Sequence, residues 1–210
     1  MPTMTQTVAV GRDTVVIPGD YAQLELMPDD PKGSVPVGVQ TQQSMCFVRF
    51  VPISASQAMP FDRPQEVVDG IHGALEDDQG LVEVCAETMK SGRRLIDSIV
   101  KTMVSENGGM QYTWTCDMET QHGVVMLQGF FDEAGVTGIR ETTVFELSRR
   151  DGSVTVDDSG VHGWARDVYD PAFTRGNLPN LSEDARYDGM FPEHPLSMLR
   201  AFRSVVAANN

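Results

Sequence analysis

The chain is short of positive charge. Its 210 residues include 16 Lys and Arg against 30 Asp and Glu, a formal net charge of −14. A surface of that sign repels polyanions, so nucleic acid and anionic membranes are excluded as partners unless a strong local basic patch overrides it. Cysteine is scarce as well. Cys46, Cys85 and Cys116 are far apart and odd in number, and none belongs to a CxxC pair. Each lies in an apolar run, which predicts three buried thiols in a reducing compartment. No window approaches ~18 consecutive apolar residues, so no membrane-crossing helix is expected. MPTMTQTVAVGRD has no basic region followed by an apolar stretch, so no secretory signal is expected either. These features together predict a soluble, cytoplasmic protein.

Chemical motifs are equally thin. His72, His122, His162 and His194 are widely separated. No HxH, HExxH or His–Cys pair occurs at ligand spacing, so neither a metal nor a cofactor is expected. GxSxG, GxxxxGK[ST] and GxGxxG are missing, and with them the familiar nucleophile elbow and phosphate cradles. Asp132 and Glu133, with Glu141 further on, could hold a hard cation or do acid–base work. Beside Gly135 they read more simply as solvated loop acids. Cys85 or Cys116 would serve as a nucleophile only with a base nearby in space.

What remains is an ordinary globular composition, 40% apolar and 22% charged. A chain of this length can bury roughly 70% of its unfolded surface and needs no disulfide or metal to fold. Val8–Val10, Thr14–Ile17 and CFVRFVPI (46–53) are β-rich, with Tyr21–Met27 extending the second piece and 28–43 reading as a loop rich in Pro and Gly. PQEVVDGIHGALEDD predicts a helix with Pro64 in its first turn, Asp62 as a cap and Gly80 as its stop. Its apolar stripe is Val67, Val68, Ile71 and Leu75. Four strands follow: Leu81–Glu87, Arg94–Val104, Met110–Glu119 and Val124–Phe131. In the third, Met110, Tyr112, Trp114, Cys116 and Met118 share one dry face. A second helix is expected after Thr137, with Ile139, Thr143, Val144 and Leu147 as its stripe. Pro195–Ala208 predicts a last helix with Leu196, Leu199, Phe202 and Val206 inward.

MKSGRRLIDSIVKTM (89–103) is the most basic passage. Its basic residues flank a turn between two strands, and Glu83 and Glu87 on the first strand are the expected partners of Arg93 and Arg94. Such pairs contribute about 0.2–1 kcal/mol, enough to favour register and no sign of a ligand. Residues 161–194 are irregular yet rich in aromatics, so they are expected to lie against the domain or a partner. Trp164, Tyr169, Phe173, Tyr187, Phe191 and His194 are the candidate binding surface. The predicted organisation is an α+β domain over residues 1–150 and a C-terminal extension over 151–210, packed on that domain and ending in a helix.

The order of strands, helix, four antiparallel strands and helix resembles the Mog1/PsbP-like fold. That resemblance implies an antiparallel sheet of about six strands with helices on both faces, an α/β/α sandwich. GLVEV (80–84), SGRRLIDSIVKT (91–102), QGFFDEAGVTGIRETTVFE (128–146) and YDPAFTRGNLPNLSEDARYDGMFPEHPLS (169–197) look like an uncharacterised, mainly Gram-positive bacterial family with no assigned activity. Known members of the wider fold group bind proteins, namely a small GTPase, a photosystem or secreted effectors. The expected function is therefore a non-enzymatic protein-binding or adaptor module, with a protein partner presenting basic or mixed surface, or a homodimer through a sheet face or edge. Two alternatives stand beside it. One is a small-ligand binder or enzyme with a pocket between the sheet and residues 161–194, lined by Trp164, Tyr169, Phe191 and His194. The other is a chaperone or immunity-type protein for a secreted effector.

Overall fold

The computed structural model describes residues 4–104 and 108–210; the first three residues of the N-terminal stretch read for a leader lie outside the described residues. The β-rich stretches form strands β1 (Thr5–Val10), β2 (Asp13–Pro18), β3 (Ala22–Gln23), β4 (Val35–Gln40) and β5 (Ser44–Ile53). Helix α1 (Pro64–Ala74) follows. Then come β6 (Gln79–Thr88), β7 (Arg94–Met103), β8 (Met110–Glu119) and β9 (Val124–Glu133). Helix α2 (Ile139–Asp151), a small hairpin of β10 (Thr155–Asp157) and β11 (Gly160–His162), two 3-10 turns (Leu181–Glu183 and Ala185–Tyr187) and helix α3 (Pro195–Asn209) complete the chain. Seven strands make one antiparallel sheet in the order β3-β4-β5-β9-β8-β7-β6, and β1 and β2 pair separately.

Register explains which side chains are dry. Leu95, Ile99, Tyr112, Trp114, Cys116, Leu127, Phe131, Val48 and Phe50 fall on one face through the cross-strand pairs Leu95↔Met118, Ile99↔Trp114, Cys116↔Leu127, Tyr112↔Phe131 and Phe50↔Leu127. The β1–β2 hairpin and α3 bury this front face, with Leu196, Leu199, Phe202 and Val206 of the helix inward. Phe202 is the wedge. Its ring sits 4.8 Å from Tyr21, 5.8 Å from Trp114 and 6.5 Å from Phe50. Burying one such ring stabilises the fold by about 1.5–3 kcal/mol. The opposite, back face is covered near β6 by α1, where Val67, Val68, Leu81 and Ile96 are buried apart from the front core. The result is an antiparallel sheet with helices on both faces, the α+β arrangement that the resemblance implies.

Several local expectations need correction. The stretch 28–43 is not all loop: Val35–Gln40 is β4, one of the seven described strands of the sheet. Pro36 is tolerated there because its carbonyl faces β3 and accepts from Leu24 N–H (3.0 Å), an outer position where no ladder donor is required. In 21–27 only Ala22–Gln23 is strand, and it pairs with β4 instead of prolonging β2. Asp62 does not cap α1; it lies 2.7 Å from Arg94. Gly80 does not stop that helix but opens β6, where the Asn177 carbonyl crosses so closely that a Cβ would sit 1.9 Å from it. In α2 the buried stripe is Arg140, Val144 and Ser148, with Ile139 and Leu147 outward. Gly138 in the left-handed region starts that helix, not Thr137. Arg94 pairs with Glu119 on β8 (2.5 Å), while Glu83 takes Arg200 and Arg203 of α3. Lys101, of the same basic passage, is fully buried on the front face. Cys46 and Cys116 are buried, but Cys85 is only half-buried.

Candidate functional site

The segment between β11 and α3 runs as a strap along the β6 edge. Asn177 N–H donates to Gln79 O (2.7 Å), and the Tyr169 hydroxyl bonds both the N–H and the carbonyl of Val84. These contacts satisfy main-chain groups that an edge strand would otherwise expose. The strap is also clamped to α1. His72 Nε2 lies 2.9 Å from Asp167 Oδ2, and its ring stacks on Phe173 at 4.2 Å. Further on, Trp164 O accepts from Leu181 N–H and Pro179 O from Arg166 N–H, which folds 164–166 back against 179–181.

Beneath the strap lies a buried charged network. Arg140 donates to Ser182 O (2.6 Å), Ser197 Oγ (2.7 Å), Asp184 O (3.2 Å) and Asp188 Oδ1 (2.9 Å). Lys101 Nζ lies 2.8 Å from Glu183 Oε1, and both side chains are almost completely buried. Glu183 Oε2 accepts from Asn180 N–H in a capping box. Arg200 reaches Glu183 O (2.8 Å), Glu83 and Asp188. Burial would raise the Glu133 carboxyl, yet His194 and the N–H groups of Met110 and Gly138 hold it below its ordinary range. Burial pushes the His194 imidazole down against Glu133's pull. Glu141 is raised by burial and by Glu183. On β7, burial raises Asp97 to about 7 against the attraction of Arg203.

The six aromatic and histidine candidates do not converge. Trp164 packs edge-on against Phe145 (5.0 Å) and Phe173 on His72. Tyr169 caps β6, Arg186 stacks over Tyr187 (4.7 Å) and Arg140 over Phe191 (5.9 Å). His194 caps α3 through Nδ1, which accepts from Leu196 N–H (3.3 Å). They pin the strap at separate points. Of these six, only Trp164 lines a cleft of about 710 Å³ between β6, the strap and α3. Its other walls are Val82, Arg166, Val168, Arg186 and Arg200, which the spacing arguments missed. Val82 is the extra residue of a β-bulge between Leu81 and Glu83, which re-aims its side chain. A basic residue pair bracketing the turn-rich stretch 164–186 was the one available signal.

A second surface is open. On the back face, away from α1, Phe47, Arg49, Met126, Gln128, Phe130, Thr113 and Thr115 are half-exposed across three neighbouring strands. Phe47 and Phe130 are cross-strand partners with centroids 6.3 Å apart. Leu24 lies over Gly38 beside Phe47, and Leu26, Met27 and Met45 are exposed nearby. Among the described residues no group of three or more His, Cys, Asp or Glu is placed to hold a metal ion, and no helix is long and apolar enough to cross a membrane.

No protein-family profile and no curated protein matches the chain in sequence. Among solved structures, the chain is similar to the Ran-binding protein Mog1p of Saccharomyces cerevisiae, with 8% identity over 69% of this chain and 84% of that one and a TM-score of 0.40. It is also similar to a Pseudomonas aeruginosa protein of unknown function, PA94 (6% identity, 70% and 94% covered, TM-score 0.37). LpqN of Mycobacterium tuberculosis, involved in cell envelope biogenesis, aligns at 16% identity over 71% and 81% with a TM-score of 0.27.

Proposed function

We propose that the chain is a non-enzymatic protein-binding module that docks its partner on the open back face of the sheet. The observation that carries this is the half-exposed Phe47–Phe130 pair on that face, beside Arg49, whose guanidinium the 24–30 loop meets through Asp30 (2.7 Å), and joined by exposed Leu24, Leu26, Met27 and Met45. Contiguous apolar surface rimmed by polar groups marks an interaction site. Glu25, Asp29 and Asp132 are close by in chain or register. With a net charge of −14, the face fits a partner that presents apolar residues among basic ones. Isologous pairing of two such acidic faces brings like charges together, so the partner is a different chain. Three free thiols suit a reducing, cytoplasmic setting.

The test is capture from the native cell with wild-type protein and with the double variant Phe47→Asp and Phe130→Asp, followed by titration of the purified partner. The partner should bind the variant at least about tenfold more weakly, a loss of roughly 1.4 kcal/mol, with the circular dichroism spectrum unchanged. A partner held equally well by the folded double variant would place the contact elsewhere.

A further inference from the structure

We propose that the cleft between β6, the strap and α3 is a separate site for a small ligand that joins a flat apolar body to a carboxylate. Its volume of about 710 Å³ falls within the range of ligand pockets, which are mostly apolar with a few convergent polar groups. The apolar part is Val82, turned in by the bulge, with Val168 and the half-exposed indole of Trp164. The anion-seeking part is guanidinium. Arg166 is exposed and its side chain makes no ion pair among the described residues. Arg186 lies over the Tyr187 ring, and its one ion pair among the described residues is a 3.5 Å contact with Asp184 at a half-exposed position. The two acids in the wall are committed. Glu183 faces Lys101 and the Asn180 N–H, and Asp184 caps the turn through Arg186 N–H. Arg200 is occupied by Glu83, Asp188 and Glu183 O, so it closes the floor instead of recruiting ligand. In a chain carrying −14 overall, two under-compensated guanidinium groups beside an indole select a carboxylate, which accepts a bidentate pair, attached to a ring that stacks.

The protein contains two tryptophans, so a ¹H–¹⁵N spectrum carries two indole signals, from cleft Trp164 and fully buried Trp114. Titration with 1-naphthoate should shift the Trp164 signal and leave Trp114 in place. 1-Naphthylmethylamine, with the same ring and the opposite charge, should shift neither. Arg166→Glu and Arg186→Glu, both at surface positions, should each weaken naphthoate by about tenfold or more, the loss expected for a charge-assisted hydrogen bond. Phe47→Asp should leave it unchanged, which keeps this site distinct from the sheet face. N-acetylglycylphenylalanine, a chain end with the same chemistry, tests the source: tighter binding than naphthoate assigns a peptide terminus, and weaker binding a free metabolite. The proposal is overturned if naphthoate leaves Trp164 unmoved, if the amine binds as well, or if neither charge reversal changes the affinity.

Discussion

Asp97 sets a pH dependence that can be worked through in advance. Its carboxyl is fully buried on β7, between Cys85 on β6 and Cys116 on β8, with Trp114 Nε1 the neighbouring indole donor. Neither that nitrogen nor Asp97 Oδ2 closes a hydrogen bond of good geometry. Arg203 approaches to 3.4 Å but is shared with Glu83 at 2.6 Å. Desolvation therefore wins, and the folded pKa rises to about 7 from an ordinary 3.8. Between those two values the folded chain holds a proton that the unfolded chain releases. Stability is full below the unfolded value and falls as pH rises toward the folded one, by about 1.4 kcal/mol per pH unit. From pH 5 to pH 8 the loss from this group alone is about 3 kcal/mol. Asp97→Asn cannot ionise and leaves Arg203 its Glu83 partner. Urea unfolding of both proteins at pH 5, 6, 7 and 8 isolates the effect, because the other titrating groups are common to both. The variant should gain about 3 kcal/mol on the wild type across that range. Parallel stability curves would refute the buried, under-paired carboxylate.

Three other perturbations probe the interior. Lys101→Met strands the Glu183 carboxylate and should cost about 3–5 kcal/mol in urea unfolding, far beyond the ~1 kcal/mol of a surface pair; a loss under ~1 kcal/mol would show that the pair contributes nothing. Tyr169→Phe removes the hydroxyl that serves both main-chain groups of Val84, so the Val84 amide should exchange faster with solvent, with a stability loss of about 1–3 kcal/mol. Gly80→Ala puts a Cβ against the Asn177 carbonyl. It should detach the strap locally, seen as faster proteolysis between 165 and 180 with the Phe202 core intact, and unchanged cleavage would contradict the close crossing.

The apolar half of the fold was legible because it obeys simple periods. Alternation in 110–119 put Met110, Tyr112, Trp114, Cys116 and Met118 on the dry face, where all five are buried. The spacing of Leu196, Leu199, Phe202 and Val206 marked the inner stripe of α3, and all four are buried. Periodicity fails where burial is polar. Arg140 carries no hydrophobic signal, so the stripe of α2 was assigned to Ile139, Thr143, Val144 and Leu147; Val144 is buried, but its inward neighbour is the Arg140 guanidinium that holds Ser182 O and Asp188. Gly80 was read by its local neighbours, although its role depends on Asn177, nearly a hundred residues later in the chain. The cleft suffers from the same blindness, since Val82, Arg166, Arg186 and Arg200 meet only through the tertiary path of the strap.

The polar side of the front face nonetheless follows one rule, and the rule says why the strap lies where it does. Across β5, β9 and β8 the front face is apolar and α3 covers it with Leu199, Phe202 and Val206. Across β7 and β6 the same face presents Asp97, Lys101 and Glu83. An apolar cover there would leave charges buried without partners, which costs several kcal/mol each. The chain meets them with charge. Arg200 and Arg203, one turn apart on the flank of α3, take Glu83 and Asp97, and Glu183 of the strap takes Lys101. Like an a-position polar residue in a coiled coil, such a set favours one register of strap on sheet over its neighbours. Because the acids nearest the strap are consumed in this way, Arg166 and Arg186 at its outer rim are left with little counter-charge. The cationic mouth of the cleft, in an acidic protein, is thus a consequence of how the buried charges fix the strap.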